Sequence, residues 1–284
     1  MKKLIASLAI VGAMSTSGLF AQTGDSIEDL SITSSFAYES QYVFRGVKLE
    51  YDSFQPSLEF GFPVVGGDLY AGIWTNLPIT GKGPMGSNDE IDIYAGYAYP
   101  ITDIVTLDAG FVYYWYPTDN SLTTASGVPG ITSPKYSSYI EPYIGASFDV
   151  LLSPAIYVYY SVDQVAKGTS TSANSGILTI EASIGYSFDL SEYMSVEGFS
   201  FDTGAYIGMG IPDSSTGGMG GTSSFLYGGV TGDLVYAFNE NVSASIGVRY
   251  SNYSASGDST SYGGTGFAPN QNNIWMGASV GFTY

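Results

Sequence analysis

The 284 residues carry 26 acidic and 8 basic side chains, a formal charge of −18, with no Cys and no His. So negative a chain repels a phosphate backbone, which excludes nucleic acid as a partner. Without imidazole or thiol, Ser-His and Cys-His nucleophilic chemistry is excluded as well. Only 12% of residues are charged, whereas Tyr (25), Phe (15) and Gly (37) are abundant, an unusual balance for a soluble domain.

Lys2 and Lys3 precede an apolar run from Leu4 to Met14, then small and polar residues from Ser15 to Gly18, then Leu19, Phe20 and Ala21. This is the layout of a secretory signal peptide, with cleavage expected after Ala21. The run is shorter than the ~20 residues a membrane helix needs, and no Cys follows it to carry a lipid anchor. Removing residues 1–21 leaves 6 basic against 26 acidic side chains, or −20. The absence of Cys suits an exported chain without disulfides. No later segment is long and apolar enough for a helical span, so a membrane location for residues 22–284 requires a closed β-barrel.

Period-2 alternation between turn signals predicts twelve strands. They lie near 30–44, 53–65, 68–77, 89–99, 104–116, 136–148, 155–165, 176–188, 194–209, 223–238, 242–252 and 272–284. Short connections at Gly66-Gly67, 100–103, 149–154, 189–193 and 239–241 alternate with mostly longer Ser/Thr/Gly/Asn/Pro-rich ones at 45–52, 78–88, 117–135, 166–175, 210–222 and 253–271. An even strand count, with short turns at one end and long loops at the other, is the pattern of a bacterial outer-membrane barrel. The fold class is therefore all-β, a single transmembrane antiparallel barrel of about twelve strands with both termini on the periplasmic side.

The strands sort their residues by face. Lipid-facing rows include Ile91, Ile93, Ala95, Tyr97 and Tyr99, then Leu178, Ile180, Ala182, Ile184, Tyr186 and Phe188, then Val242, Ala244, Ile246, Val248 and Tyr250. The terminal stretch places Ile274, Met276, Ala278, Val280, Phe282 and Tyr284 on one face, an apolar row that a bilayer covers. Glycines such as Gly72, Gly96, Gly145 and Gly277 fall on the opposite, inward face, where they relieve crowding in a curved wall. Pro56 and Pro142 inside strands predict a bulge or shifted boundary, and the alternation slips near Gly198 to Phe201.

The inward ionisable set is Glu39, Arg45, Glu59, Asp92, Asp108, Glu141, Glu181, Glu197, Asp233 and Arg249. Two roles are open for it. One is a water-filled pore whose carboxylates favour cations; the other is simple hydration of a polar lumen, with Arg45 and Arg249 pinning the wall by salt bridges. Tyr70, Trp74, Tyr94, Tyr157, Tyr159 and Trp275 also face inward, to line a sugar or nucleoside path or to fill the barrel. Asp89, Glu90, Asp119, Asp213 and Asp258 offer oxygens for weak Ca²⁺ or Mg²⁺ binding, yet loop acids read first as solvated surface. No cofactor, metal or catalytic residue is expected. Without His, the chemistry of the outer-membrane phospholipase and of omptin-type proteases is out of reach.

Four segments in order, Tyr42-Val43-Phe44-Arg45-Gly46, Gln55-Pro56-Ser57, Leu69-Tyr70-Ala71-Gly72-Ile73-Trp74-Thr75-Asn76 and Glu90-Ile91-Asp92-Ile93-Tyr94-Ala95-Gly96-Tyr97, resemble the TorF-type porins of Gram-negative bacteria. The resemblance covers roughly residues 36–99 and implies an outer-membrane barrel with a pore function, but no ligand. Arg45 lies where the first strand meets the first loop. It is expected either to pair with a luminal carboxylate and set a constriction, or to bridge the barrel rim.

The sequence reads as an outer-membrane porin in contact with lipid, passing small hydrophilic solutes with cations favoured. The alternatives are a substrate-selective sugar or nucleoside channel and a closed barrel with structural or adhesive loops. Oligomeric state stays open.

Overall fold

The computed structural model describes residues 30–80, 89–117, 138–162, 176–191, 193–194, 196–212, 224–255 and 270–284. Its strands are β1 (Ser31–Glu39), β2 (Tyr42–Phe44), β3 (Val47–Glu50), β4 (Ser53–Val64), β5 (Gly67–Pro78), β6 (Glu90–Thr102), β7 (Val105–Trp115), β8 (Tyr139–Phe148), β9 (Ala155–Ser161), β10 (Ile177–Asp189), β11 (Phe199–Pro212), β12 (Phe225–Ala237), β13 (Val242–Ala255) and β14 (Asn270–Thr283). Twelve of them close into an antiparallel barrel, each paired with its sequence neighbour, while β2 and β3 form a separate two-stranded sheet. Closure runs through β1, which pairs with β4 on one side (Phe36↔Pro56) and with β14 on the other (Phe36↔Val280).

Alternation explains the wall. In β6, Glu90, Asp92, Tyr94 and Ala98 are buried inside, whereas Ile93 and Tyr99 are exposed outside. Phe36, Leu107, Phe111, Ile184, Ile246, Val248, Ile274 and Met276 are likewise exposed. A closed barrel with an apolar exterior and a polar, aromatic interior is the architecture of a bacterial outer-membrane protein: closure leaves no unpaired sheet edge and the outer face suits hydrocarbon. Both ends of the barrel sequence lie together, the Ile32 amide donating to the Tyr284 carbonyl at 2.8 Å. The short turns after β4, β6, β8, β10 and β12 share that end.

Three local expectations change. The strand predicted over 30–44 ends at Glu39, and 42–50 forms the hairpin β2–β3 instead of wall and outward loop. The strand predicted to start at 194 starts at Phe199, after Gly198 with φ +90°. Neither proline shifts its register. Ser53↔Pro78 and Ser57↔Trp74 belong to one register on either side of Pro56, and Phe111↔Pro142 continues the β7–β8 ladder. Each proline instead lacks a partner on one side. Pro56 falls in a gap of the β4–β5 ladder, and the β8–β9 ladder begins only at Tyr143↔Tyr159. Losing one N–H per proline therefore costs a local rung and not the alignment. The irregular register in β6–β7 lies at Pro100/Thr102, beside the short turn.

Candidate functional site

After Glu39 the chain leaves the wall. The Ser40 amide donates to the Met276 carbonyl (2.9 Å) and the Gln41 side chain to the Ile274 carbonyl (3.1 Å), so the departure is anchored on β14. Arg45 and Gly46, at φ +46° and +81°, join β2 to β3. Two successive left-handed residues make the tight turn that suits strand twist, usually built from Asn-Gly or Asp-Gly. Arginine is disfavoured in that conformation, and its partners offset the strain.

The Arg45 guanidinium donates twice to Glu141 on β8, at 2.9 Å to Oε1 and 2.7 Å to Oε2. Glu141 also accepts from Ser161 Oγ at 2.7 Å and Tyr114 OH at 3.2 Å. Four donors fill the lone-pair capacity of a carboxylate. Arg45 and Glu141 are 4% and 0% exposed, so the pair is held without solvent. The guanidinium also lies 4.8 Å from the Phe44 ring centroid and 5.1 Å from that of Tyr159.

Gly46 faces another part of the wall. A Cβ there would lie 2.7 Å from the Asn252 carbonyl oxygen and 2.9 Å from Tyr253 Cβ. Asn273 Nδ2 donates to the Gly46 carbonyl (3.0 Å), and the Lys48 amide donates to Gln271 Oε1 (3.1 Å). The hairpin thus starts between β1 and β4, and its tip touches β8 and β9 through Arg45 and β12 to β14 through Gly46. It crosses the lumen. Tyr42 and Phe44 pack with Tyr70, Trp74, Tyr114, Tyr139, Tyr143, Tyr157 and Tyr159 in one buried cluster, and Val47 packs with Tyr206, Phe225, Tyr227 and Tyr253 in a second.

Tyrosine hydroxyls hold the inner carboxylates. Tyr94 donates to Glu59 (3.0 Å), Tyr70 and Tyr157 to Asp108 (2.8 and 3.1 Å), Tyr227 to Glu181 (2.7 Å), and Tyr42 and Tyr116 to Glu90 (2.8 and 3.1 Å). Tyr70 also bonds Tyr143. A phenol satisfies a carboxylate oxygen without bringing an opposite charge. Elsewhere on the inner face, Arg249 on β13 bridges Asp233 of β12 at 2.9 Å and Glu39 of β1 at 3.3 Å.

Glycines seat these rings. Tyr70 lies opposite Gly96 and Gly72 opposite Tyr94, and a Cβ on either glycine would overlap the facing phenol. The same exchange joins Tyr206 with Gly229 and Gly208 with Tyr227 across β11 and β12. At these four glycines an aromatic ring lies against the neighbouring strand, a pairing known to stabilise glycine in sheets, whereas Gly247 and Gly277 make room for the Asp233 and Glu39 carboxylates.

Glu39, Glu59, Asp92, Asp108, Glu141, Glu181, Asp233 and Arg249 all lie on the inner face of the wall. Two predicted positions differ. Arg45 is at the tip of the hairpin and reaches a carboxylate across the barrel. Glu197 is exposed in the turn between β10 and β11, because that strand begins two residues later than it. Tyr70, Trp74, Tyr94, Tyr157 and Tyr159 are all buried and packed in one cluster; Trp275 is half-buried. Glu90, read from the sequence as a loop acid, is the first residue of β6 and is 3% exposed. Its parity with Asp92 and Tyr94 was the available signal. Asp202, on the inner face of β11, accepts from Ser187 and Ser200 at 2.5 and 2.9 Å. Asp119, Asp213, Asp258 and the segment 1–21 lie outside the described residues, among which no group of acids has metal-holding geometry.

Three solved structures are similar in fold. The NanC porin shares 12% identity over 89% of this chain and 98% of its own, with a TM-score of 0.44. The KdgM porin shares 11% over 89% and 98%, at 0.42. LpxR from Salmonella typhimurium shares 11% over 89% and 99%, at 0.43. No curated protein matches the chain. The profile of a family described as "Bacterial protein of unknown function (Gcw_chp)" matches residues 21–196, a span that contains the TorF-like segments, and the chain belongs to that family.

Proposed function

We infer that the barrel is a channel for small hydrophilic solutes across the outer membrane and that it favours cations. The observation that carries this reading is the charge of the inner face. Glu39, Glu59, Glu90, Asp92, Asp108, Glu141, Glu181, Asp202 and Asp233 line it, against Arg249 of the wall and Arg45 of the hairpin, and most of the acids are satisfied by neutral hydroxyls. An interior rich in carboxylates concentrates cations and repels anions. Single-channel recording of the refolded protein in a planar bilayer, with a salt gradient, tests it. Stable openings with a cation-selective reversal potential are expected, and anion selectivity would overturn the preference.

A second reading, a closed barrel with a structural or adhesive role, draws support from the hairpin across the lumen and the two aromatic clusters beside it. It predicts no conductance from protein shown to be folded. The packing of the inward tyrosines speaks against a sugar or nucleoside track, since their faces are occupied by glycine seats and by one another.

A further inference from the structure

Resting on the channel reading, we propose that the β2–β3 hairpin is a plug that limits conduction, and that the Arg45–Glu141 pair is the latch holding its tip against the far wall. Four observations converge on this. The hairpin occupies the lumen: Tyr42, Phe44 and Val47 are 2%, 7% and 1% exposed, values of a protein core and not of a water-lined passage. Beyond this packing, its hydrogen bonds to the wall run through side chains, among them Arg45 to Glu141, Tyr42 to Glu90, Asn273 to Gly46 and Gln271 to Lys48. Its own pairing, Val43↔Lys48 and Phe44↔Val47, is internal, with a register shift at Tyr42/Val43. It is therefore an inserted element and not part of the barrel ladder.

The fourth observation is the turn. A left-handed arginine where Asn or Asp is the usual choice is unfavourable by itself. The position delivers the guanidinium to Glu141 in fork-to-fork geometry, which suits arginine in particular. Gly46 completes the fit on the other side, where any Cβ would meet the backbone of Asn252. The stems at 40–41 and 51–52 are joined to each other by the Tyr42 amide on the Tyr51 carbonyl (3.1 Å) and to the rim by Ser40 on Met276 and Ile79 on Asp52. None of those bonds involves the tip residues Arg45 and Gly46. The wall ladder β1–β4 runs up to Glu39↔Ser53, directly beneath the stems, so the barrel does not depend on the hairpin for closure.

The test compares single-channel conductance of three full-length proteins, each checked for a folded barrel by heat-modifiable gel mobility and β-type circular dichroism. They are the wild type, a variant with residues 42–50 replaced by two glycines, and Glu141→Gln, which keeps the side-chain shape but removes the charge. A several-fold rise in conductance for the hairpin variant, with larger openings more frequent in Glu141→Gln than in wild type, is the expected result. If the wild type conducts and the hairpin variant conducts equally, the plug is overturned and the channel reading stands. If both are silent although folded, the channel reading fails and the plug falls with it. Should the hairpin variant not fold, Glu141→Gln decides, because openings identical to wild type would overturn the latch.

Discussion

Arg45 and Glu141 are 96 residues apart in the chain and meet inside the barrel through two charge-assisted hydrogen bonds of 2.9 and 2.7 Å. Removing one partner of a buried pair strands the other charge, at a cost of about 3–5 kcal/mol. Glu141→Ala is expected to lower unfolding free energy by that order in urea titrations of the protein in lipid vesicles. Arg45→Met combined with Glu141→Leu is expected to recover most of it. A loss under ~1 kcal/mol would match a solvated surface pair instead.

Gly208 lies opposite Tyr227, and its missing Cβ is what the phenol ring occupies. Gly208→Ala forces the ring off Glu181 and overpacks the wall, a change worth about 1–3 kcal/mol. Adding Tyr227→Leu removes the collision, so the two substitutions are expected to be non-additive in a double-mutant cycle. Additive effects would mean that the ring and the glycine are not coupled.

Arg249 stands between Asp233 and Glu39. Arg249→Gln leaves both acids without a counter-charge, and the reversal potential in a KCl gradient is expected to move further towards cation selectivity. Asp233→Asn is expected to move it the other way. An unchanged potential in both variants would place the selectivity elsewhere in the lumen.

Val248 and Arg249 are adjacent on β13 and point to opposite faces. Val248 is 52% exposed on the outside, and Arg249 is half-buried within an ion cluster on the inside. Val248→Arg puts the same charge in lipid and is expected to cost about 2–4 kcal/mol near mid-membrane, read by vesicle unfolding. A negligible cost would argue that this face does not meet hydrocarbon.

The twelve wall strands were legible because a period of two, once set by an apolar outer row, propagates along a whole strand. The row Ile91, Ile93, Ala95 fixes Asp92 and Tyr94 inside without further information. The hairpin was hidden for the same reason. Tyr42, Val43 and Phe44 continue the apolar run of β1, and Arg-Gly is not the Asn-Gly or Asp-Gly signal of a tight turn. Glu141, nearly a hundred residues later, is the partner that fixes the Arg45 side chain, and a local pattern cannot register so distant a contact. Glu197 was misplaced by a similar limit: the alternation slips from Gly198 to Phe201, and Gly198, left-handed at φ +90°, lies in the turn before β11.

The closure of β1 on β14 carries a consequence for assembly. The first wall strand waits for the last one, so its pairing spans the whole barrel sequence, a non-local contact of the slow-forming kind. The hairpin leaves the chain between the first and second wall strands, and the surfaces that enclose its tip, on β8, β9 and β12 to β14, are made much later. The wall therefore wraps around a segment already synthesised, as a cask is hooped around its contents. Until β14 arrives, the edges of β1 and β13 are bare together, and the final strand covers both.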